Sequence, residues 1–331
     1  MKKALNEKKV YIIAEAGVAH FGSLKKAKKL VDLAANSGAD AVKFQSYITK
    51  DFIYHKFTEW FKKYEEKEVD FYFLKKIKEY CKKKKIEFLC TPHTESTLSW
   101  IKKLNVPIIK VGSGELGNFE FLKKIIKQKK HIIISTGMHT RLDMINLKKF
   151  FLKQKYTNVS FLRCITSYPT NNKDINLESF NQFKKIFKNF KIGYSDHTNH
   201  DLAILGAVVL GAKIIEKHIA LDFNVKNAQD WKVSFNELKF KDMVKKIRQL
   251  EKIMGKEQIS ISREEKKSIK WATKGVYAKK NIKKRSKFSL LNTCAKRPNN
   301  GVNVSLHTEL LRKKAKSNII RGYPLKRYQI A

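Results

Sequence analysis

The chain is poor in cysteine, in acid and in long apolar runs, and each shortage excludes a class of protein. Cys81, Cys90, Cys164 and Cys294 are four thiols in 331 residues, widely spaced and without a CxxC pair. A disulfide scaffold is therefore excluded, and the four read as reduced thiols of a cytosolic protein. The longest apolar run, Leu202 to Ala212, is too short to span a bilayer. Met1, Lys2, Lys3 and the mixed residues after them carry no signal-peptide apolar core, so a cytoplasmic location is expected. Neither a repeat of solenoid period nor a low-complexity tract occurs. What is present is the composition of a globular protein: 42% hydrophobic and 11% aromatic residues, enough to bury a large core and to exclude disorder.

Acid is the scarcest class relative to its opposite. There are 30 Asp+Glu against 71 Lys+Arg, a net charge of +41. Such a balance suits a nucleic-acid partner. Nine of the basic residues are Arg, leaving 62 Lys. Bidentate phosphate and base recognition favours Arg, and here lysines spread over nearly every predicted helix face, so solvated helix surfaces are the expected reading. One local excess stands out: residues 271–331 carry 16 Lys+Arg and a single acid, Glu309. A non-enzymatic protein binding anions or nucleic acid through this segment is the alternative from another class.

Eight β-branched runs recur, each ending in polar or glycine residues: 11–17, 41–47, 86–92, 108–114, 131–137, 159–166, 191–197 and 213–220. Amphipathic helical patterns lie between them. Ser23, Asn118 and Asn199 are expected to cap helices, and Ser234 to Glu237 to form a capping box for a long helix ending before Gly255. Eight strand–helix units over about 250 residues predict a (β/α)8 TIM barrel. A doubly wound sheet is the alternative, but residues 16–22 do not fit G-x-G-x-x-G. Residues 48–70 form a long insertion after the second strand, on the side where barrels build lids. The expected organisation is a barrel over 1–255, a linker over 256–270 and a small β-rich domain over 271–331.

Strand parity then selects the residues able to do chemistry. Side chains alternate inward and outward, and active sites of this fold sit at the carboxyl ends of the strands. Lys43 and Gln45 share one face, Ser195 and His197 another, Glu216 and His218 a third. Glu15, Thr91 and Lys110 also fall at or near strand ends. Burying unpaired charge is costly, so this many charged residues at equivalent positions indicates a polar site. His197 and His218 lie on neighbouring predicted strands, close enough to share a divalent ion and leave positions open; two hydrogen-bonded core histidines are the other reading. Asp196 and Glu216 are expected to orient the two rings. Lys43 and Lys110, with Thr91, Ser113 and Ser195, would hold a phosphate and a carboxylate, helped by the close backbone approach that Gly112-Ser113-Gly114 permits. A Schiff-base lysine is the competing reading. Cys90 and Cys164 are expected to be small buried apolar residues.

Several stretches, taken together, resemble the sialic acid (N-acetylneuraminate) synthases: Ile13-Ala14-Glu15-Ala16-Gly17, Val42-Lys43-Phe44-Gln45, Lys110-Val111-Gly112-Ser113-Gly114-Glu115, Ser135-Thr136-Gly137-Met138, Tyr194-Ser195-Asp196-His197-Thr198, Glu216-Lys217-His218 and Lys296-Arg297-Pro298. The resemblance covers nearly the whole chain, and its tail is similar to the family's antifreeze-like (SAF) domain. It implies a transferase that condenses phosphoenolpyruvate with an N-acylated hexosamine to a nine-carbon 2-keto acid and phosphate. Legionaminic and pseudaminic acid synthases share these motifs. It further implies that Lys43, Thr91, Lys110, Ser113, Thr166 and Ser195 bind phosphoenolpyruvate. Glu15, Gln45, Tyr168 and Asp230 would contact the sugar, and Glu15 would handle a proton. His197 and His218 would hold Mn²⁺, with Mg²⁺ or Co²⁺ as alternatives. Arg297 would reach the sugar's acyl group from the partner subunit of a domain-swapped homodimer. The chain departs from the family's usual pattern at Ala19 before His20 and at Ala228-Gln229-Asp230, which bears on the identity of the sugar.

Overall fold

A computed structural model describes residues 9–225, 228 and 230–331. The opening segment and Gln229, part of the Ala228–Asp230 motif, lie outside the described residues. Eight parallel strands close into a barrel in sequence order: β1 (Tyr11–Gly17), β2 (Ala41–Ser46), β3 (Glu87–Pro92), β4 (Ile108–Val111), β5 (His131–Ser135), β6 (Val159–Cys164), β7 (Lys191–Asp196) and β8 (Ile214–His218). The closing pair is β1 with β8, in the register Ile13 to Glu216 and Glu15 to His218. Strands begin within a residue of the sequence reading; β1 and β3 stop where expected, and the other six stop one to three residues earlier.

Alternation along each strand divides the barrel interior into two storeys. The lower one is apolar: Tyr11, Ile13, Ala41, Leu89, Ile108, Ile133, Leu162 and Ile214 form one buried cluster. Two residues on, the same inward faces carry Glu15, Lys43, Thr91, Lys110, Ser135, Cys164 and Glu216. Gly193 completes the tight lower packing, because an added Cβ there would lie 2.2 Å from the Ile214 carbonyl oxygen and 2.6 Å from Leu162. The outward faces, such as Ile12, Val42, Phe44 and Phe161, pack against the helices in the larger core.

The helices follow their caps. Ser23 accepts from Lys26 N at the head of helix Leu24–Asn36, which ends against Gly38 at φ +81°. Asn118 accepts from Phe121 N at the head of Phe119–Ile126. Two caps differ from expectation. Helix Leu202–Val209 starts from Asp201, not Asn199, and that carboxylate accepts from Lys246 at 2.8 Å instead of capping. Asn236 caps helix Glu237–Ile253, while Ser234 donates to the Asp230 carbonyl. The insertion after β2 folds as two helices, Thr49–Phe52 and Thr58–Glu65, before helix Phe71–Lys83.

The chain divides into two compact units, the first ending at Gly255 and the second running from Lys256 to Ala331. The stretch 256–270, expected as a linker, belongs to the second unit and holds most of helix Arg263–Ala272. That helix is headed by a capping box of Ser262 and Glu265, which satisfies two free backbone N–H groups reciprocally. The rest of the unit is an antiparallel pair, β9 (Gly275–Ala278) and β10 (Thr293–Lys296), with isolated bridges such as Ile282 to Ile319. Its own core includes Val276, Phe288, Val302, Ile319 and Leu325. Among the described residues, no helix is long and apolar enough to cross a membrane.

Candidate active site at the barrel mouth

The upper storey opens into a cavity of about 670 Å³. Twelve of the thirteen site residues singled out in the sequence line it: Glu15, Lys43, Gln45, Thr91, Lys110, Ser113, Thr166, Tyr168, Ser195, His197, His218 and Asp230. Arg297 is the thirteenth; it belongs to the second unit, exposed in the loop after β10.

On the cavity floor the charges are paired across the barrel. The Lys43 ammonium lies 2.7 Å from Glu15 Oε2 and 3.6 Å from Glu216 Oε2, and donates to Thr91 Oγ1 at 3.3 Å. Lys110 donates to Ser135 Oγ at 2.7 Å and to its neighbour's carbonyl at 3.1 Å, with Glu216 Oε1 3.7 Å away. Ser195 donates to Glu216 Oε1 at 2.9 Å, and Gln45 to Glu15 Oε1 at 2.8 Å. All four charged groups are buried. Burial pushes the Glu15 carboxyl up, opposed by Lys43 and helped by Glu216. For Glu216 the two lysines outweigh burial and hold it near 2. Burial holds Lys110 below the ordinary lysine range, with Glu216 opposing and Lys43 adding to the effect.

Beside this floor, Gly137 N donates to Ser113 Oγ at 2.9 Å. An added Cβ at Gly137 would fall 2.1 Å from Thr166 Oγ1 and 2.8 Å from Ser113 Oγ, so only glycine lets these two hydroxyls approach. The result is a pair of hydroxyls lining the same cavity as two ammonium groups, a set of donors suited to an anion.

The two imidazoles stand together with ring centroids 5.2 Å apart, and Tyr168 packs on His197 at 4.1 Å. His197 Nδ1 donates to the Ile165 carbonyl at 2.6 Å, which leaves Nε2 free for another partner. Burial works against the His197 cation, but the Cys164 sulfur 3.8 Å away and the Ile165 carbonyl outweigh it and push the ring up to about 9. His218 is held down at about 3 by burial, and Asp230 Oδ2 lies 3.8 Å from its Nδ1. Among the described residues, no group of three or more His, Cys, Asp and Glu could hold a metal.

Two expectations are corrected here. Neither Asp196 nor Glu216 orients an imidazole. Asp196 is on the outward face of β7, where its Oδ2 takes the buried Lys217 ammonium at 2.6 Å and two hydrogen bonds from Thr198. Glu216 serves the lysines instead. Cys164 is buried but lines the cavity beside His197, whereas Cys90 is the inert thiol expected, bonded to Ser46 and pushed up to about 12 by burial. Reasoning from sequence missed Ser135, although strand parity alone puts it inward above Ile133. It also missed His93 and the aromatic wall of the insertion. Phe52 stacks on His93 at 4.8 Å and meets Tyr64 edge-on at 5.3 Å; with Trp60 they line the cavity.

A closed parallel barrel with acids, lysines and imidazoles gathered at the carboxyl ends of its strands defines a barrel enzyme. Comparison with known proteins narrows the class. The sequence profile of the NeuB family matches residues 30–259. The N,N'-diacetyllegionaminic acid synthase of Campylobacter jejuni is 38% identical over 326 residues, covering 94% of this chain and 97% of its own. A pseudaminic acid synthase of the same species is 34% identical over 334 residues, covering 97% and 96%. The crystal structure of the N-acetylneuraminic acid (sialic acid) synthetase of Leptospira borgpetersenii superposes with a TM-score of 0.73 at 31% identity, over 80% of this chain and 91% of that one. The chain belongs to the NeuB family.

Proposed function

We propose that the protein is a nonulosonic acid synthase: a transferase joining phosphoenolpyruvate to an open-chain N-acylated hexosamine, giving a nine-carbon 2-keto acid and phosphate. The observation that carries this reading is the convergence of Lys43, Lys110, Glu15 and the His197–His218 pair in one cavity. The activities of these relatives support it.

In this reading Lys43 and Lys110 take the carboxylate and phosphate of phosphoenolpyruvate, and Ser113, Thr166, Thr91 and Ser195 add neutral donors. Gln45, Tyr168 and Asp230 hold the sugar. The methylene carbon of phosphoenolpyruvate bonds to the aldehyde carbon, and the aldehyde oxygen takes a proton from solvent; the Glu15 carboxylate, 2.7 Å from the Lys43 ammonium, is placed to handle that proton. Water adds to the cationic carbon left behind and gives up one proton, which Glu15 is placed to take; its second proton leaves as C–O cleavage releases phosphate and forms the ketone. His197 and His218 fit a divalent ion, Mn²⁺ before Mg²⁺ or Co²⁺. Nδ1–H of His197 is held by the Ile165 carbonyl, so Nε2 would be its ligating nitrogen, giving up a proton as the ion binds; His218 is neutral, and the remaining positions would fall to water and substrate oxygens. When bound, such an ion supplies Lewis-acid polarisation of the sugar carbonyl. Arg297 would complete the sugar site from the partner of a swapped homodimer, with the second unit as an SAF domain. A cytoplasmic setting agrees with four free thiols.

The test is phosphate release over a panel of N-acetylmannosamine, a diacetamido-trideoxyhexose and mannosamine phosphates. Release that needs both phosphoenolpyruvate and one of these sugars is expected. Retention on DNA with no such release would instead favour the basic-tail reading.

A further inference from the structure

We propose that Glu216 is a positioning residue, a fixed counter-charge under the anion site that spaces and holds Lys43 and Lys110. The inference rests on the synthase reading and deepens it. Glu216 belongs to β8, Lys43 to β2 and Lys110 to β4, which lies across the barrel from β8. One carboxylate thus spans the floor, 3.6 Å from one ammonium and 3.7 Å from the other. Ser195 fixes its Oε1 from β7, while Oε2 accepts no hydrogen bond and has Lys43 as its counter-charge. The apolar storey beneath offers nothing else that could balance two buried cations.

Removing a negative charge should by itself tighten anion binding, but here the loss of Glu216 also unbalances the lysines. Count the quartet: two lysines and two carboxylates sum to zero. Without the Glu216 charge, two ammonium groups share the floor with Glu15 alone. Lys110 faces Glu216 from β8, Lys43 from β2, Glu15 from β1 and Cys164 from β6, with His93 beyond β3, and Glu216 does most to keep it charged against burial. Lys110 therefore sheds its proton first when Glu216 is neutralised. The site's net charge returns to zero, but one charge-assisted donor to the ligand has gone. At low pH the lysine keeps its proton and the loss disappears.

Calorimetric titration of phosphoenolpyruvate at fixed MnCl₂, from about pH 6 to about pH 9, tests this on the full-length wild type, Glu216→Gln and Glu216→Asp. For Glu216→Gln, the ratio of its Kd to that of the wild type is expected near or below one at the acid end. It then climbs by roughly tenfold per pH unit once the lysine has titrated. Glu216→Asp, which keeps the charge on a shorter arm, should lie between the two. A Glu216→Gln ratio that stays flat across the range overturns the inference while leaving the synthase reading intact. A wild type that binds no phosphoenolpyruvate sinks that reading and the inference with it. Should Glu216→Gln fail to fold, the aspartate series decides: a ratio of one throughout overturns the proposal, and a rising ratio supports it.

Discussion

At the scale of single residues, the side chains that matter are those whose neighbours leave them no alternative. His218 is neutral, buried and 5.2 Å from His197 by ring centroid. Replacing it with alanine is expected to abolish turnover and weaken Mn²⁺ binding while the thermal midpoint barely moves. Phosphate release and metal titration check this, and a metal-stripped His218→Ala protein with normal turnover would end the metal role. Gly137 gives a second prediction. Gly137→Ala should raise the KM for phosphoenolpyruvate by roughly a hundredfold, the cost of a reactant misplaced by about an ångström. Thr166→Ala in the same chain should recover part of it, since Thr166 Oγ1 is what the new methyl meets first. Lys217 and Asp196 give a third, on stability. Lys217→Met strands a buried carboxylate and should cost about 3–5 kcal/mol by urea unfolding. Pairing it with Asp196→Leu should recover most of that.

At the scale of elements, the insertion after β2 is the part of the mouth free to vary without touching the barrel. Its aromatics Phe52, Trp60 and Tyr64 wall the cavity, and the Tyr47 hydroxyl donates to the Tyr64 carbonyl from the end of β2. Trp60→Ala is expected to raise the KM for the sugar by roughly tenfold, within the usual range for a lost apolar contact. The KM for phosphoenolpyruvate should change by less than about twofold, and equal changes in both would count against a sugar-side wall. The eight strands were legible in the sequence because each is a short, near-continuous run rich in β-branched residues that ends in polar residues or glycine. The insertion after β2 was legible as an interruption of that rhythm. What Glu216 touches was not. Along the chain it sits two residues from His218, which suggested service to the ring, whereas its partners stand on β2 and across the barrel on β4. A linear string carries no sign of that crossing. The displaced caps at Asp201 and Asn236 have a simpler cause: Asn199, Asp201, Ser234 and Asn236 all suit a cap, and tertiary partners decide among them.

At the scale of the whole molecule, the charge of +41 sits almost entirely in solvated lysines, while the four buried charges at the barrel floor cancel. Self-repulsion of the surface should therefore make the fold salt-sensitive. The thermal midpoint is expected to rise as NaCl is added through the range where the screening length falls from about 30 Å to about 8 Å. A midpoint that fell with salt would show that surface ion pairs outweigh repulsion.

The stacking of an oily layer under a charged one, both read off the same strands two residues apart, has a consequence for how such a molecule can change over generations. Adding or deleting one residue within a strand would swing every lysine, acid and imidazole above the break out among the helices and bring grease to the mouth. The strands are therefore locked in phase by chemistry as firmly as by packing, and novelty in substrate choice has to enter through the segments that join them.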